Sequence, residues 1–324
     1  MKKRSLVLVL VLLMVFSGVV FANGSQEKSN SGVKRVAYIA RAQGDSFAAW
    51  LANAIKDEAK NYPGISVDLM DGQANDDKEN TLIENCITNK YDLIILQANN
   101  GEAQTPYVKK VIEAGIPIIL TNPRIKGIVG ANSVDADPYE QGAVNARLGL
   151  TQIPQNATVV VINGPAGNMH STARRLAWKQ EFFDKRPDVK LGGEQIANWN
   201  KDEAMKYMED WVQSIPKIDA VISMNDNMAA GALEVVKNNP KYNNLLVYGV
   251  DGTAEAALLI QEGKMTSTSF QNAFELARLN MKLANEILYG GRTELLDTDI
   301  DCPLITKDNV QDLIAVYKKT GDLK

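Results

Sequence analysis

Two cysteines and one histidine are all this 324-residue chain holds of the side chains most used to bind transition metals. So few cysteines cannot form a disulfide scaffold or a four-cysteine zinc site, and a lone His170 excludes any metal centre or catalytic design needing two imidazoles. An excess of basic residues is also lacking: 35 Lys and Arg stand against 39 Asp and Glu, a formal charge of −4. Charge of that sign has no general attraction for phosphate backbones or anionic lipid, which argues against a nucleic-acid partner. Neither G-x-S-x-G nor H-E-x-x-H occurs, so the usual serine-hydrolase and zinc-protease signatures are missing. A glycosidase needs only paired carboxylates, and those the chain does have. What is there is 45% apolar and 23% charged, ordinary for a folded protein and long enough for about two domains.

One long hydrophobic run stands out. Lys2, Lys3 and Arg4 lead into an apolar stretch from Leu6 to Val20, followed by Phe21, Ala22 and Asn23. A basic start, a run shorter than the ~20 residues of a spanning helix, and small residues at Val20 and Ala22 read as a secretory signal over 1–22, cleaved after Ala22. An uncleaved membrane anchor is the alternative. Removing the signal takes away its three positive charges and leaves a more acidic chain. Residues 23–32, NGSQEKSNSG, read as a flexible leader, and the mature protein is expected to be exported and soluble. An oxidising compartment permits disulfides, yet nothing in the sequence brings Cys86, in a helical stretch, near Cys302, in a late strand. Both read as small buried hydrophobes.

From Val33 onward, short β-rich runs alternate with amphipathic stretches of ten to fifteen residues. Strands are expected at 33–40, 65–71, 91–97, 116–121 and 127–131, then at 157–163, 190–197, 218–224, 245–250, 264–270 and 298–305. Helices are expected at 47–61, 76–89, 102–114, 138–150, 171–185, 201–214, 227–238, 254–262 and 273–289. The strands are near-continuous apolar runs without period-two alternation, the pattern of parallel sheets covered on both faces. That rhythm predicts an α/β protein with doubly wound parallel sheets, too many strands for one ordinary sheet, and so two lobes. A single (β/α)8 barrel competes less well, because there are more than eight strands and one follows the last long helix.

In open parallel sheets, ligands bind beyond the carboxyl ends of the strands. The first strand hands over Arg41, Asp45 and Phe47, and the fourth hands over Asn122 and Arg124. Strand 157–163 is followed by Asn168, His170 and Arg174; later strands deliver Asn198, Trp199, Asn225, Asp226, Asp251 and Gln271. Forked polar groups suit sugar hydroxyls, which donate one hydrogen bond and accept two. Phe47 and Trp199, from different halves, suit the apolar faces of one flat ring. Each residue has a plainer reading. Asp45, Asp226 and Asp251 stand before helices as caps would, Phe47 and Trp199 fit a core, His170 fits a satisfied loop histidine, and Asn122 fits a turn. Arg174 and Arg175 fit less easily, since positive charge in a helix's first turn opposes the macrodipole by ~0.3–1 kcal/mol each. Their shared place at strand ends favours a cleft for a polar small molecule.

The segments VAYIARAQGDSF, IPIILTN, NGPAGNMHSTARR, VISMNDNMAAGAL, VYGVDGTAEA and TSTSFQ resemble the type I periplasmic sugar-binding proteins, the galactose/glucose- and ribose-binding family, over essentially all of residues 33–324. The resemblance implies two lobes joined by a three-strand hinge and a monosaccharide or cyclic polyol enclosed between them. It carries the ligand positions of the galactose/glucose branch onto Asp45, Phe47, Asn122, Arg174, Trp199, Asn225 and Asp251, with Gln271 at the remaining amide position, as in the ribose branch. The chain departs from the hexose branch at Asn168 and His170, where that branch has a histidine and an aspartate, and Arg41 replaces a neutral residue and adds a donor. The acidic ladder of the branch's calcium loop is absent, so neither structural metal nor cofactor is expected. The implied lobes span 33–132 plus 273–297 and 133–272 plus 298–324. The implied partners are a membrane ABC permease and a chemoreceptor, with the protein monomeric, periplasmic and not an enzyme. An exported carbohydrate-active hydrolase and a sensor feeding a chemoreceptor are the rival functions. A transcription regulator would need a helix-turn-helix where the hydrophobic run stands.

Overall fold

Strand after strand is buried along its whole length rather than on alternate residues. In β1 (Lys34–Ala40) everything from Val36 to Ala40 is buried, and β3 (Leu93–Leu96), β4 (Ile118–Thr121) and β8 (Ala220–Ser223) are buried throughout. Such strands need cover on both faces, and helices supply it. The structure, a computed structural model, describes residues 32–323; the expected signal sequence, its cleavage point and nearly all of the leader lie outside the described residues.

The first sheet runs β11-β5-β4-β3-β1-β2, every pair parallel, adding β2 (Ile65–Asp71), β5 (Asn132–Ala136) and β11 (Asp297–Ile300). The second runs β12-β10-β9-β8-β6-β7, adding β6 (Thr158–Asn163), β7 (Lys190–Ile196), β9 (Leu246–Asp251), β10 (Ser267–Phe270) and β12 (Leu304–Ile305). Only β12 is antiparallel to its neighbour. Helices α1 (Ser46–Glu58), α2 (Asp76–Thr88), α3 (Gly101–Glu113) and α9 (Ala273–Leu288) cover the first sheet. Helices α4 (Pro138–Gln152), α5 (Met169–Glu181), α6 (Lys201–Ser214), α7 (Asp226–Val236), α8 (Ala254–Gln261) and α10 (Val310–Thr320) cover the second. The protein is therefore two doubly wound α/β lobes, with one strand order used twice.

The chain changes lobes three times: after β5, after β10 and between β11 and β12. The expected boundaries assign residues 133–136 and 298–300 to the second lobe. Backbone pairing of β5 with β4 and β11 places both strands in the first. The strand expected at 127–131 is a loop, because Gly127 and Gly130 take left-handed φ of 78° and 95° and Val129 is 90% exposed. The strand expected at 298–305 is split between the lobes at Asp301–Pro303, where proline offers no N–H to a ladder. Helix α10 was not anticipated. Among the described residues no helix is long and apolar enough to cross a membrane, and Cys86 and Cys302 are buried free thiols.

Trp50 of α1 and Phe274 of α9 pack against the cores of both lobes. The Trp50 ring stacks on Phe270 at 6.4 Å and lies 5.7 Å from Tyr317, both second-lobe residues. Within the second lobe, α4 approaches α5 so closely that a Cβ on Gly142 would stand 2.5 Å from the carbonyl oxygen of Arg174. Gly142→Ala must push these helices apart, and we expect it to cost about 1–3 kcal/mol in chemical denaturation. A loss below about 0.5 kcal/mol would show that the contact gives way freely.

Candidate functional site

Each sheet has its strand order reversing beside its first strand, between β1 and β3 and between β6 and β8, the crevice where doubly wound sheets bind ligands. The carboxyl ends of the two sheets face each other across a cavity of about 270 Å³. It is lined by Arg41, Phe47, Asn122, Pro123, Asn168, His170, Arg174, Trp199, Asn225, Asp251 and Gln271. Of the ligand positions implied by the family resemblance, only Asp45 does not line it; the strand-end residues Arg124, Asn198 and Asp226 also lie outside it. Asp45 is buried just outside, 2.8 Å from the Arg41 guanidinium.

The plainer readings turn out to be partly true as well, and they explain how the side chains are held. Asp45, Asn168 and Asn225 are the N-caps of α1, α5 and α7, each accepting backbone N–H bonds through Oδ1. Capping fixes the side chain and leaves its other polar atom to face elsewhere. The Asn168 amide donates to the Asn99 carbonyl of the first lobe at 3.3 Å. Asp226 and Asp251 are not caps; Asn225 and Thr253 take those positions. Phe47 belongs to the first lobe's core and Trp199 to the second's, while both also face the cavity.

Arg174 and Arg175 do not oppose the macrodipole as expected, because α5 begins at Met169 and places both in its second turn. Arg175 forms a two-pronged pair with Glu194 and leaves the site. Arg174 is 2% exposed. It donates from Nε to Gln141 at 2.8 Å, from Nη1 to the Met224 carbonyl at 2.7 Å, and from Nη2 to His170 Nδ1 at 3.2 Å. Asp251 lies 3.8 Å away. Arg124 is not a site residue; it joins β4 to β11 through Asp297 and Asp299.

Three polar residues escaped the sequence reading. Gln97 follows β3, a strand end like the others, whereas Gln141 within α4 and Asp135 within β5 carry no positional signal. Gln97 heads a chain of amides. The Arg41 N–H donates to Gln97 at 3.4 Å, Gln97 to Asn122 at 3.2 Å, Asn122 to Gln271 at 2.8 Å, and Gln271 to Asp251 at 3.4 Å. The Asn122–Gln271 link crosses between lobes. Burial pushes the Asp251 carboxyl well above the usual range against the pull of Arg174. Burial likewise raises Asp226 behind it to about 7, despite bonds from Thr268 and Thr253. Asp251 Oδ2, Asp45 Oδ2 and the Trp199 indole N–H are buried without partners. Asn122, Trp199 and Asp251 hold left-handed φ of 41°, 60° and 121°, and strain of this kind gathers at ligand clamps. Among the described residues no cluster of His, Cys, Asp and Glu is set to hold a metal ion.

The sequence profile of the periplasmic binding protein domain matches residues 36–292. The chain belongs to that family. Two curated relatives are a xylitol-binding protein of Mycolicibacterium smegmatis, 27% identical over 76% of this chain and 70% of its own, and the D-allose-binding periplasmic protein of Escherichia coli, 28% identical over 76% and 82%. A solute-binding protein of an ABC transporter from Bacillus halodurans, solved with myo-inositol, superposes with a TM-score of 0.83 at 27% identity, covering 89% of this chain and all of that one. The resemblance to type I periplasmic sugar-binding proteins holds, and like its relatives this periplasmic binding protein is not an enzyme.

His170, one of the family departures, binds the two lobes to each other. Arginine can only donate, so the Arg174 contact makes His170 Nδ1 an acceptor and puts the ring proton on Nε2. Nε2 then donates to Asp135 of β5 at 3.2 Å. Burial holds the imidazole below its ordinary 6.5, with Arg174 and Arg41 adding to the effect and Asp135 opposing it. A depressed folded-state value means that this group's stabilisation is whole above the ordinary imidazole range. It is lost as pH falls through the lower folded value. His170 is the sole histidine, so its nitrogen-15 imidazole spectrum needs no assignment. We expect a neutral ring protonated at Nε2 at pH 7, with a midpoint below that of a histidine peptide. A proton on Nδ1 or a raised midpoint would refute the arrangement.

Proposed function

We propose that this periplasmic binding protein is the extracytoplasmic capture subunit of an ABC-type importer, and that its cargo is an uncharged ring polyol, a monosaccharide or a cyclitol. The observation that carries the reading is that both guanidiniums at the cavity already have partners. Arg41 pairs with Asp45, Arg174 donates to Gln141, the Met224 carbonyl and His170 with Asp251 3.8 Å away, and the imidazole is neutral. A charged sugar would bring a buried charge with nothing to neutralise it.

The unused atoms suit hydroxyls. Asp251 Oδ2 and Asp45 Oδ2 accept, while the Trp199 indole N–H and the remaining guanidinium N–H groups donate. Phe47 and Trp199 give apolar walls for ring C–H faces. Micromolar capture needs about −8 kcal/mol, within reach of several charge-assisted bonds worth ~1.5–3 kcal/mol each once ordering costs are met. Ligand groups gripping both lobes stabilise the closed form, the state a permease or a chemoreceptor then reads from a monomeric carrier. Xylitol and D-allose, in the names of two relatives, and the myo-inositol bound in the solved structure are all uncharged polyols.

Titration calorimetry with myo-inositol, D-allose, D-ribose, D-galactose and xylitol tests the reading. At least one should bind at micromolar or tighter, with glucuronate, glucosamine and glucose 6-phosphate at least about 100-fold weaker. Arg174→Lys keeps the charge but loses the fork, and should weaken binding about 30-fold or more. A charged sugar binding tightest, or no neutral polyol binding, would overturn the proposal.

A further inference from the structure

Gln141 is fully buried in α4 and does not line the cavity, yet its side chain holds two residues that do. Its Oε1 accepts from Arg174 Nε at 2.8 Å, and its Nε2 donates to Gln271 Oε1 at 2.5 Å. The three crossings between the lobes also pass beside it. Asp137, just past β5, accepts its backbone N–H at 3.0 Å. Gln271 directly follows β10, and Cys302, between β11 and β12, lies within reach of its side-chain amide.

The sense of these bonds leaves one arrangement. A guanidinium has no acceptor, so the Gln141 atom facing Arg174 Nε must be the oxygen. Its NH2 group is thereby turned to Gln271, which must answer with its own oxygen. Gln271 Nε2 is left on the far side, 3.4 Å from Asp251 Oδ1, with its second hydrogen for a ligand. Gln271 Oε1 also receives Asn122 at 2.8 Å and Arg174 Nη2 at 3.4 Å. Three donors leave an oxygen with two lone pairs nothing to offer a hydroxyl proton. At Gln271, then, a ligand meets only a donor.

The three donors are unequal. Asn122 belongs to the first lobe and leaves when the lobes part. The Arg174 contact is the longest, and the same Nη2 serves His170. Gln141 makes the shortest bond, belongs to the same lobe as Gln271, and has its own sense set by a guanidinium. We propose that Gln141 is a positioning residue for ligand capture. It holds Gln271 with an N–H facing the cavity, and Arg174 beside it, so that the second lobe's share of the site stands arranged before the first lobe closes over the ring. Groups already in their bound arrangement spare the complex their ordering cost. The inference rests on the polyol reading above and adds to it a residue that the ligand never touches.

Two substitutions test it. Gln141→Glu keeps an acceptor for Arg174 and removes the donor to Gln271; Gln141→Met, similar in size, removes both. Calorimetry uses whichever of myo-inositol, D-allose, D-ribose, D-galactose and xylitol binds the parent tightest. Each variant should bind it at least fivefold weaker. In a Gln271→Ala background, Gln141→Glu should cost no more than twofold further, because the group it acts through is gone. In the ligand-free protein, the Gln271 side-chain amide signals, identified by their loss in Gln271→Ala, should move in Gln141→Glu. A smaller loss in Gln141→Glu, a further loss above twofold in the Gln271→Ala background, or unmoved Gln271 signals would each overturn the inference and leave the polyol reading standing. If Gln141→Glu does not fold, Gln141→Met carries the test, with a loss at least threefold smaller in the Gln271→Ala background than in the parent. A parent that binds none of the five polyols would sink the polyol reading, and the Gln271 signals of the free protein would still decide the role of Gln141.

Discussion

A guanidinium taken out of water must find its partners inside the protein, and Arg174, 2% exposed, finds them on every side. One N–H goes to a side-chain amide, one to a backbone carbonyl, one to an imidazole, with a carboxylate near by. Those partners come from α4, from the end of β8, from α5 itself and from the end of β9. Their positions depend on both the sheet and the helix packing of the second lobe, down to the absent side chain at Gly142. Such a cluster stands or falls as a unit, since deleting one member strands another buried charge at a cost of ~3–5 kcal/mol.

The first lobe reaches the same cluster by single hydrogen bonds rather than by pairing with the guanidinium. Asn122 meets Gln271, Asp135 meets His170, and Asn99 meets Asn168. None of these is an ion pair between unlike surface charges that salt would screen. They are short-range and directional, which suits lobes that must part and meet again. Trp50 adds an aromatic contact at the seam that needs no polar partner to hold.

Much of this was legible in the chain. Continuous apolar strands, alternating with helical stretches of the right length, are enough to read two doubly wound lobes. The rule that loops at strand carboxyl ends carry the site located Arg41, Phe47, Trp199 and the rest. What escaped had physical causes. Gln141 and Asp135 sit inside a helix and a strand, where no positional rule marks them and only tertiary packing turns them inward. The GIVG segment has strand composition, yet Gly127 and Gly130 take backbone angles that only glycine finds easy. Residues 298–305 look like one strand because both halves favour β structure, and only pairing divides them between two sheets. Arg174 and Arg175 were misjudged because Asn168 starts the helix earlier than the apolar periodicity suggests.

The amide chain from the Arg41 N–H through Gln97, Asn122 and Gln271 to Asp251 runs in one sense throughout. A primary amide turned end for end would present like to like at two neighbours at once, so no link can reverse by itself. The polarity of the whole string is dictated at its extremities, by a main-chain donor in one half and an acidic acceptor in the other. Closing the molecule therefore engages one keyed contact: each half arrives with its own links already oriented, and along this string only the Asn122–Gln271 bond, donor to acceptor, joins them.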